Sequence, residues 1–177
     1  MGLRETVRGE IGMKLDWLKT RVDQASDVDA VLREATDDIC RAFSADRLTV
    51  YKVTDDGGHL AAVVQKDLES YGAIRVRVDS GRSLAGYVGA KREVVNIADA
   101  YDDRELAPLQ LQRKMFVAVD ERTGYRTRQV LAAPVVANGE LVGVVELLNR
   151  VDRKPFPKAC EAEILELCEA ISAALAK

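Results

Sequence analysis

Three short stretches carry residue types suited to holding a small anionic molecule. In Gly81-Arg82-Ser83-Leu84-Ala85-Gly86, a turn leads to a serine placed to cap a short helix, Leu84 to Ala90. With Ser83 as N-cap, the amides of Leu84, Ala85 and Gly86 become orphan donors of the first turn. The small side chains of Ala85 and Gly86 would let an anion approach those amides, where the helix dipole favours negative charge. An ordinary capped helix explains the same residues. Asp120, Thr123 and Thr127 form a second constellation. Their spacing of three and then four keeps them on one side of a helix or of its unwinding end. Gly124 is placed to end that helix in the left-handed conformation. A carboxylate and two hydroxyls facing one way would suit the edge of a purine or a ribose. A capping cluster on a surface loop is the plainer reading. The third feature is Glu146, the one charged residue within the apolar run Leu141-Val-Gly-Val-Val-Glu-Leu-Leu148. Strand alternation sets Val144, Glu146 and Leu148 on one face and Val145 and Leu147 on the other. Glu146 thus shares a face with apolar neighbours, which favours a pocket over a wet surface.

Catalytic chemistry has little to stand on. The only histidine, His59, follows a Gly-Gly turn, and one histidine cannot build a zinc site. The chain has no Ser-His-Asp order, HExxH, Walker lysine motif or GxGxxG fingerprint. Cys40, Cys160 and Cys168 fall on faces of expected helices, where burial is the better reading than nucleophilicity. Cys160 and Cys168 lie two helical turns apart, too far for a disulfide. Asp102-Asp103 is a commonplace loop pair. No catalytic residue, metal ligand or required cofactor is expected.

The positioning framework follows from composition and periodicity. A chain of 177 residues, 47% hydrophobic and 31% charged, is long enough for one domain with a real core. A net charge of −3 with both signs interleaved excludes the basic face that nucleic acid requires. No apolar run approaches the roughly 20 residues of a membrane span. The first ten residues lack the apolar core of a secretion signal, and Gly2 comes with no second anchoring signal. A cytoplasmic location is the expectation.

Val7, Ile11, Leu15, Leu18 and Val22 recur at helical spacing and make one apolar stripe. Its narrow seam suits either a partner helix from a second copy or packing on its own domain. After a Ser26-Asp27 cap the stripe resumes with Val28, Leu32, Ala35, Ile39 and Phe43. Strands are expected at Arg47–Val53 and Leu60–Gln65 around the Asp55-Asp56-Gly57-Gly58 turn, and at Ile74–Val78. Asn138-Gly139 marks a tight hairpin between Val130–Ala137 and Leu141–Leu148. Pro157 to Ala176 reads as a helix burying Cys160, Ile164, Leu167, Cys168, Ile171 and Leu175. This order implies an α+β sandwich: a central antiparallel sheet, terminal helices on one face and the middle segment on the other.

The segments SLAGYV, NIADAYDD, DERTGYRTRQVLAAPV and GVVELLNR with the following Phe156 resemble the GAF domain. That is the small-molecule sensor of cyclic-nucleotide phosphodiesterases and many bacterial signalling proteins. The resemblance covers residues 27–177 and leaves 1–26 as an N-terminal dimerisation or signalling helix. It implies a six-stranded antiparallel sheet with the terminal helices behind and a ligand pocket in front. In cyclic-nucleotide-binding members the resemblance puts the phosphate on amides matching Leu84 and Ala85. It puts the purine and ribose beside positions matching Asp120, Thr123 and Thr127, with a glutamate matching Glu146 closing the pocket. The family's closing motif falls on Asn149, Arg150, Phe156, Cys160 and Glu161. Arg150 stands where the family has a lysine and Cys160 where it has the aspartate that pairs with it, so that salt bridge is expected to be absent or rerouted to Asp152 or Glu161. The apolar stretch before Asp120 is expected to act as a lid, with Met115 and Phe116 filling the pocket.

Three functions follow as expectations. The first is a non-catalytic regulatory domain that binds a small ligand, with cyclic AMP or cyclic GMP foremost. It would signal through its terminal helices, as a homodimer, to a partner or effector domain. The second is a dimerisation or protein-interaction module with no small ligand. The third, weakest, is a free methionine sulfoxide reductase, whose fold the resemblance shares but whose cysteine positions this chain lacks.

Overall fold

A computed structural model describes residues 15–67, 72–79 and 81–177. Val7 and Ile11 of the first apolar stripe, like Gly2, lie outside the described residues. Residues 15–24 are helical (α1), and Asp27 then caps α2, Val28–Phe43, by accepting the Ala30 amide at 2.9 Å. The expected stripe of α2 is buried at Leu32, Ala35, Ile39 and Phe43. Leu15, Leu18 and Val22 of α1 are buried in the same core. Of the two uses open to that stripe, the described part packs on its own domain.

The strands are β1 (Ala45–Val53), β2 (His59–Gln65), β3 (Arg75–Arg77), β4 (Val95–Ile97), β5 (Val130–Ala137) and β6 (Glu140–Arg150). Among the described residues they form one six-stranded antiparallel sheet in the order β3-β2-β1-β6-β5-β4. The β5–β6 turn uses positive φ at both Asn138 and Gly139, as a two-residue hairpin of this kind demands. Gly143 is needed where β6 crosses β1, because a Cβ there would overlap the Tyr51 carbonyl oxygen. Two elements depart from the sequence expectation. The third strand shrinks to three residues at the sheet edge, and β4 is an additional three-residue strand. The last helix, α6, covers Cys160–Leu175, because Pro157 to Ala159 form a turn before it.

The sheet divides two cores. Behind it, α1, α2 and α6 cover Leu48, Val50, Leu131, Val145 and Leu147. Leu18, Leu32, Ile39, Ile164, Leu167 and Ile171 are fully buried there. Each such side chain contributes about 1.5–3 kcal/mol of burial, which commits all three helices to this face. In front lie α3 (Leu84–Lys91), α4 (Asp103–Leu106), a 3-10 turn at Ala107–Leu109, and α5 (Arg113–Thr123). Their apolar residues pack on Tyr51, Val130, Ala132 and Val144. The front core is incomplete, and the gap in it is the site.

Candidate functional site

A cavity of about 360 Å³ lies between the front of the sheet and the middle segment. Its floor is Thr49 and Tyr51 from β1 with Glu146 and Leu148 from β6. Thr49 stands directly opposite Glu146 in the antiparallel ladder, and Tyr51 is its diagonal neighbour. One wall is Ser83, Leu84 and Ala85 at the start of α3. Met115, Phe116, Val119, Arg122 and Thr123 of α5 form the facing wall, and Ile74, Arg75 and Val76 close the edge. The volume falls within the usual range for small-molecule pockets. Met115 and Phe116 line the space, as the lid expectation requires, but do not fill it.

Strand alternation puts Glu146 in this space as expected: Val145 and Leu147 face the helices, whereas Val144 belongs to the front core. The carboxyl is only 8% exposed. Burial pushes it up to about 7, and the Tyr51 hydroxyl, which donates to it at 3.4 Å, opposes the rise only in part. Burial, followed by the nearby carboxylate, raises the Tyr51 hydroxyl well above its ordinary range. Near neutrality Glu146 therefore exchanges between an ion that only accepts hydrogen bonds and an acid that also donates one.

The α3 end behaves as a capped N-terminus. The Ser83 hydroxyl accepts the Gly86 amide at 3.0 Å. No acceptor among the described residues takes the Leu84 or Ala85 amide. Gly86 serves packing rather than a ligand. Its amide is taken by the cap, and a Cβ there would overlap the carbonyls of Arg77 and Asp79. The expected anion seat therefore reduces to two amides, not three.

The trio on α5 divides. Thr123 lines the cavity, and its hydroxyl donates to the Val119 carbonyl at 2.9 Å. Gly124, at φ +69°, caps the helix and turns the chain back. That reversal brings Thr127 onto Asp120, so these two meet each other instead of the cavity. Asp120 accepts from the Thr127 amide at 2.8 Å, the Thr127 hydroxyl at 2.7 Å and the Tyr101 hydroxyl at 2.8 Å. A carboxylate 7% exposed requires such partners, and these satisfy it. Arg126 stacks its guanidinium 3.3 Å from the Tyr101 ring, which braces the same corner. Asp120 and Thr127 thus hold the wall that carries Thr123.

Behind that wall, Asn149 ties down the approach to β5. Its carbonyl accepts the amides of Arg128 and Gln129 at 2.7 and 3.1 Å, and its amide donates to the Arg126 carbonyl at 2.8 Å. Arg150 pairs with Asp152 through two contacts, at 3.0 and 2.7 Å. With Cys160 in the aspartate position, the rerouted bridge goes to Asp152, while Glu161 pairs with Lys158 at 2.7 Å. Sequence reasoning missed Thr49 and Tyr51 on the floor and Arg75 and Arg122 at the rim. Alternation along β1 placed Thr49 and Tyr51 opposite the helix-facing Leu48 and Val50, which was the available signal.

The GAF domain family matches residues 27–177. The chain belongs to the GAF family. It is 27% identical over 134 residues to the probable 3',5'-cyclic phosphodiesterase pde-5 of Caenorhabditis elegans, covering 71% of this chain and 17% of that protein. It is 30% identical over 121 residues to the dual 3',5'-cyclic-AMP and -GMP phosphodiesterase 11A of Takifugu rubripes, covering 63% and 12%. This GAF chain thus spans less than a fifth of either relative's length. Among solved structures, the GAF domain of a phosphoenolpyruvate-protein phosphotransferase from Coxiella burnetii superposes with a TM-score of 0.74 at 23% identity, covering 94% of this chain and 92% of that one. Free methionine-R-sulfoxide reductase from Neisseria meningitidis has a TM-score of 0.66 at 15% identity, covering 96% and 90%. These likenesses establish the fold.

The cysteines of this GAF domain stand apart from the cavity. All three are buried and free, and none lines it. Burial raises each thiol: Cys40 to about 11, Cys160 to about 12 with help from Glu163, and Cys168 higher still. Among the described residues no cluster of histidine, cysteine and carboxylate side chains could hold a metal, and no helix is long and apolar enough to cross a membrane.

Proposed function

We propose that this GAF domain is a non-catalytic regulatory sensor that takes a cyclic nucleotide into the cavity between α3, α5 and the sheet. The observation that carries the reading is one cavity whose lining brings together Leu84 and Ala85 at the start of α3, Thr123 of α5 and the buried Glu146. The amides and the start of α3 suit a cyclic phosphate, and Arg122 adds a cationic side chain to the lining, whereas Arg75 is paired with Asp56 at 2.9 Å. The apolar side chains of Met115, Val119, Ile74 and Leu148 suit a base. The likeness to two cyclic-nucleotide phosphodiesterases supports the same ligand class.

Binding would order α5 against the sheet and bias α1 and α6, which share the opposite core. In this reading two copies pair through the terminal helices in the cytoplasm and act on a partner or effector domain. The 44% exposed Leu165, on the outer side of α6, supports such pairing. The buried, high-pKa thiols favour a sensor over a sulfoxide reductase.

The test is calorimetric titration with cyclic AMP and cyclic GMP, using AMP and GMP as controls. Micromolar binding of a cyclic form is expected. It should weaken in Val119→Glu, which adds a negative charge beside Arg122 at a position 50% exposed and spares the core. Absence of binding, with dimers intact, would favour the interaction-module reading.

A further inference from the structure

The sequence interleaves its charges, but the fold collects cations at one end of the sheet. The start of β1, the end of β6 and the start of β5 lie side by side there, three adjacent antiparallel strands spanning about 10 Å. Asn149 fastens the strap before β5 to the end of β6, accepting the Arg128 amide and donating to the Arg126 carbonyl. The Gln129 side chain donates to the Arg153 carbonyl at 3.2 Å and holds the turn after β6 to the same place. Ala45 pairs with Arg150, and Arg47 lays its guanidinium 3.6 Å from the Tyr125 ring. Residues 45–47, 125–128 and 149–154 are thereby gathered at one pole, which carries Arg47, Arg126, Arg128, Arg150, Arg153 and Lys154.

Against these six cations the same segments hold two carboxylates, Asp46 and Asp152. Asp152 is paired with Arg150, and Asp46 accepts the Tyr125 hydroxyl at 2.8 Å. Arg126, Arg128, Arg153 and Lys154 are exposed, and none has a carboxylate within ion-pair distance among the described residues. The neighbouring Asp120 is buried and spent on Tyr101 and Thr127. The pole therefore carries an excess of four positive charges in a chain whose net charge is −3. None of its residues lines the cavity. We propose that this pole docks an acidic segment of a partner protein, one rich in aspartate and glutamate. Arginine, five of the six cations, presents a planar fork that takes a carboxylate through two parallel N–H bonds. Stacking on Tyr125 and Tyr101 holds two of those forks in place before a partner arrives. A chain acidic overall repels a long polyanion such as nucleic acid at its other surfaces, whereas a short acidic segment meets only the pole.

The experiment is fluorescence anisotropy of a labelled oligoglutamate peptide with the full chain, alongside an uncharged peptide of equal length. The wild type is expected to bind oligoglutamate alone, and more weakly as salt rises. Arg128→Glu combined with Arg153→Glu should weaken binding about tenfold or more. Neither side chain makes a hydrogen bond or ion pair among the described residues, and thermal unfolding checks that the variant is folded. Lys19→Glu combined with Lys177→Glu makes the same change in net charge at exposed positions away from the pole and should change binding little. The wild-type comparison of the two peptides stands whether or not the variants fold. No binding of oligoglutamate to the wild type, or an equal loss in both folded variants, would overturn the inference. Tighter binding of a single-stranded oligonucleotide of the same charge, lost in the pole variant, would overturn it in favour of nucleic acid. Self-association in sedimentation that the pole variant abolishes would overturn it in favour of a second copy of this chain. Nucleotide binding in the cavity is read separately and is untouched by any of these results.

Discussion

The Tyr51 hydroxyl reaches diagonally across the β1–β6 ladder to Glu146 Oε2 at 3.4 Å, and both groups are buried on the cavity floor. This long bond compensates the buried carboxylate only partly. Burial raises the folded carboxyl to about 7 from an ordinary 4.5. The native state therefore holds a proton that the unfolded chain has released over this interval. Stability is fully present below about pH 4.5, falls as pH rises through about 7, and then levels off. The loss amounts to about 3 kcal/mol at most. Urea unfolding of the wild type at about pH 5 and about pH 8 should show it. Glu146→Gln should flatten the dependence and be the more stable protein at the higher pH. Equal slopes in both proteins would show that Glu146 is not the titrating group.

Asp120 predicts a different behaviour, because its hydrogen bonds are spent within the chain. Asp120→Ala strands the buried Thr127 amide and hydroxyl and should cost about 2–4 kcal/mol. Asp120→Asn keeps acceptors in place and should cost less. Thermal unfolding of the two variants without ligand checks this. An unchanged midpoint in Asp120→Ala would remove Asp120 from the wall and return it to the ligand.

Gly86 is fixed by a close approach. In Gly86→Ala the new methyl meets the carbonyls of Arg77 and Asp79, so the loop before α3 must move. Such overpacking costs about 1–3 kcal/mol. A lowered midpoint in denaturant is expected, and a wild-type midpoint would show that the loop yields freely.

The thiols should be inert in the folded protein. Cys40, Cys160 and Cys168 are buried and raised, so a thiol reagent at about pH 8 should react only after denaturant is added. Rapid labelling of even one would reopen a redox role.

Much of this fold was legible because its signals are local. The α2 stripe, the Asn138-Gly139 turn and the alternation that aims Glu146 each occupy a few consecutive residues. The site was legible only in part because its remaining features depend on distant pairing. Alternation along β1 gives Thr49 and Tyr51 a common face, but only the register of β1 against β6 sets them beside Glu146. Asp120 looked like a ligand-facing carboxylate until Gly124 turned Thr127 back onto it and Tyr101, nineteen residues away, supplied a third donor. β4 has three residues, too few for a period to show.

The most direct test of the sensor reading is an amide NMR titration of the labelled chain with cyclic GMP. The account predicts saturable shifts centred on Leu84, Ala85, Thr123 and Glu146, with smaller changes spreading into α5. It predicts little change at Arg33 and Thr36 in the shallow groove between α2 and β2 on the other side of the domain. Shifts confined to that groove, or none at millimolar nucleotide, would contradict it.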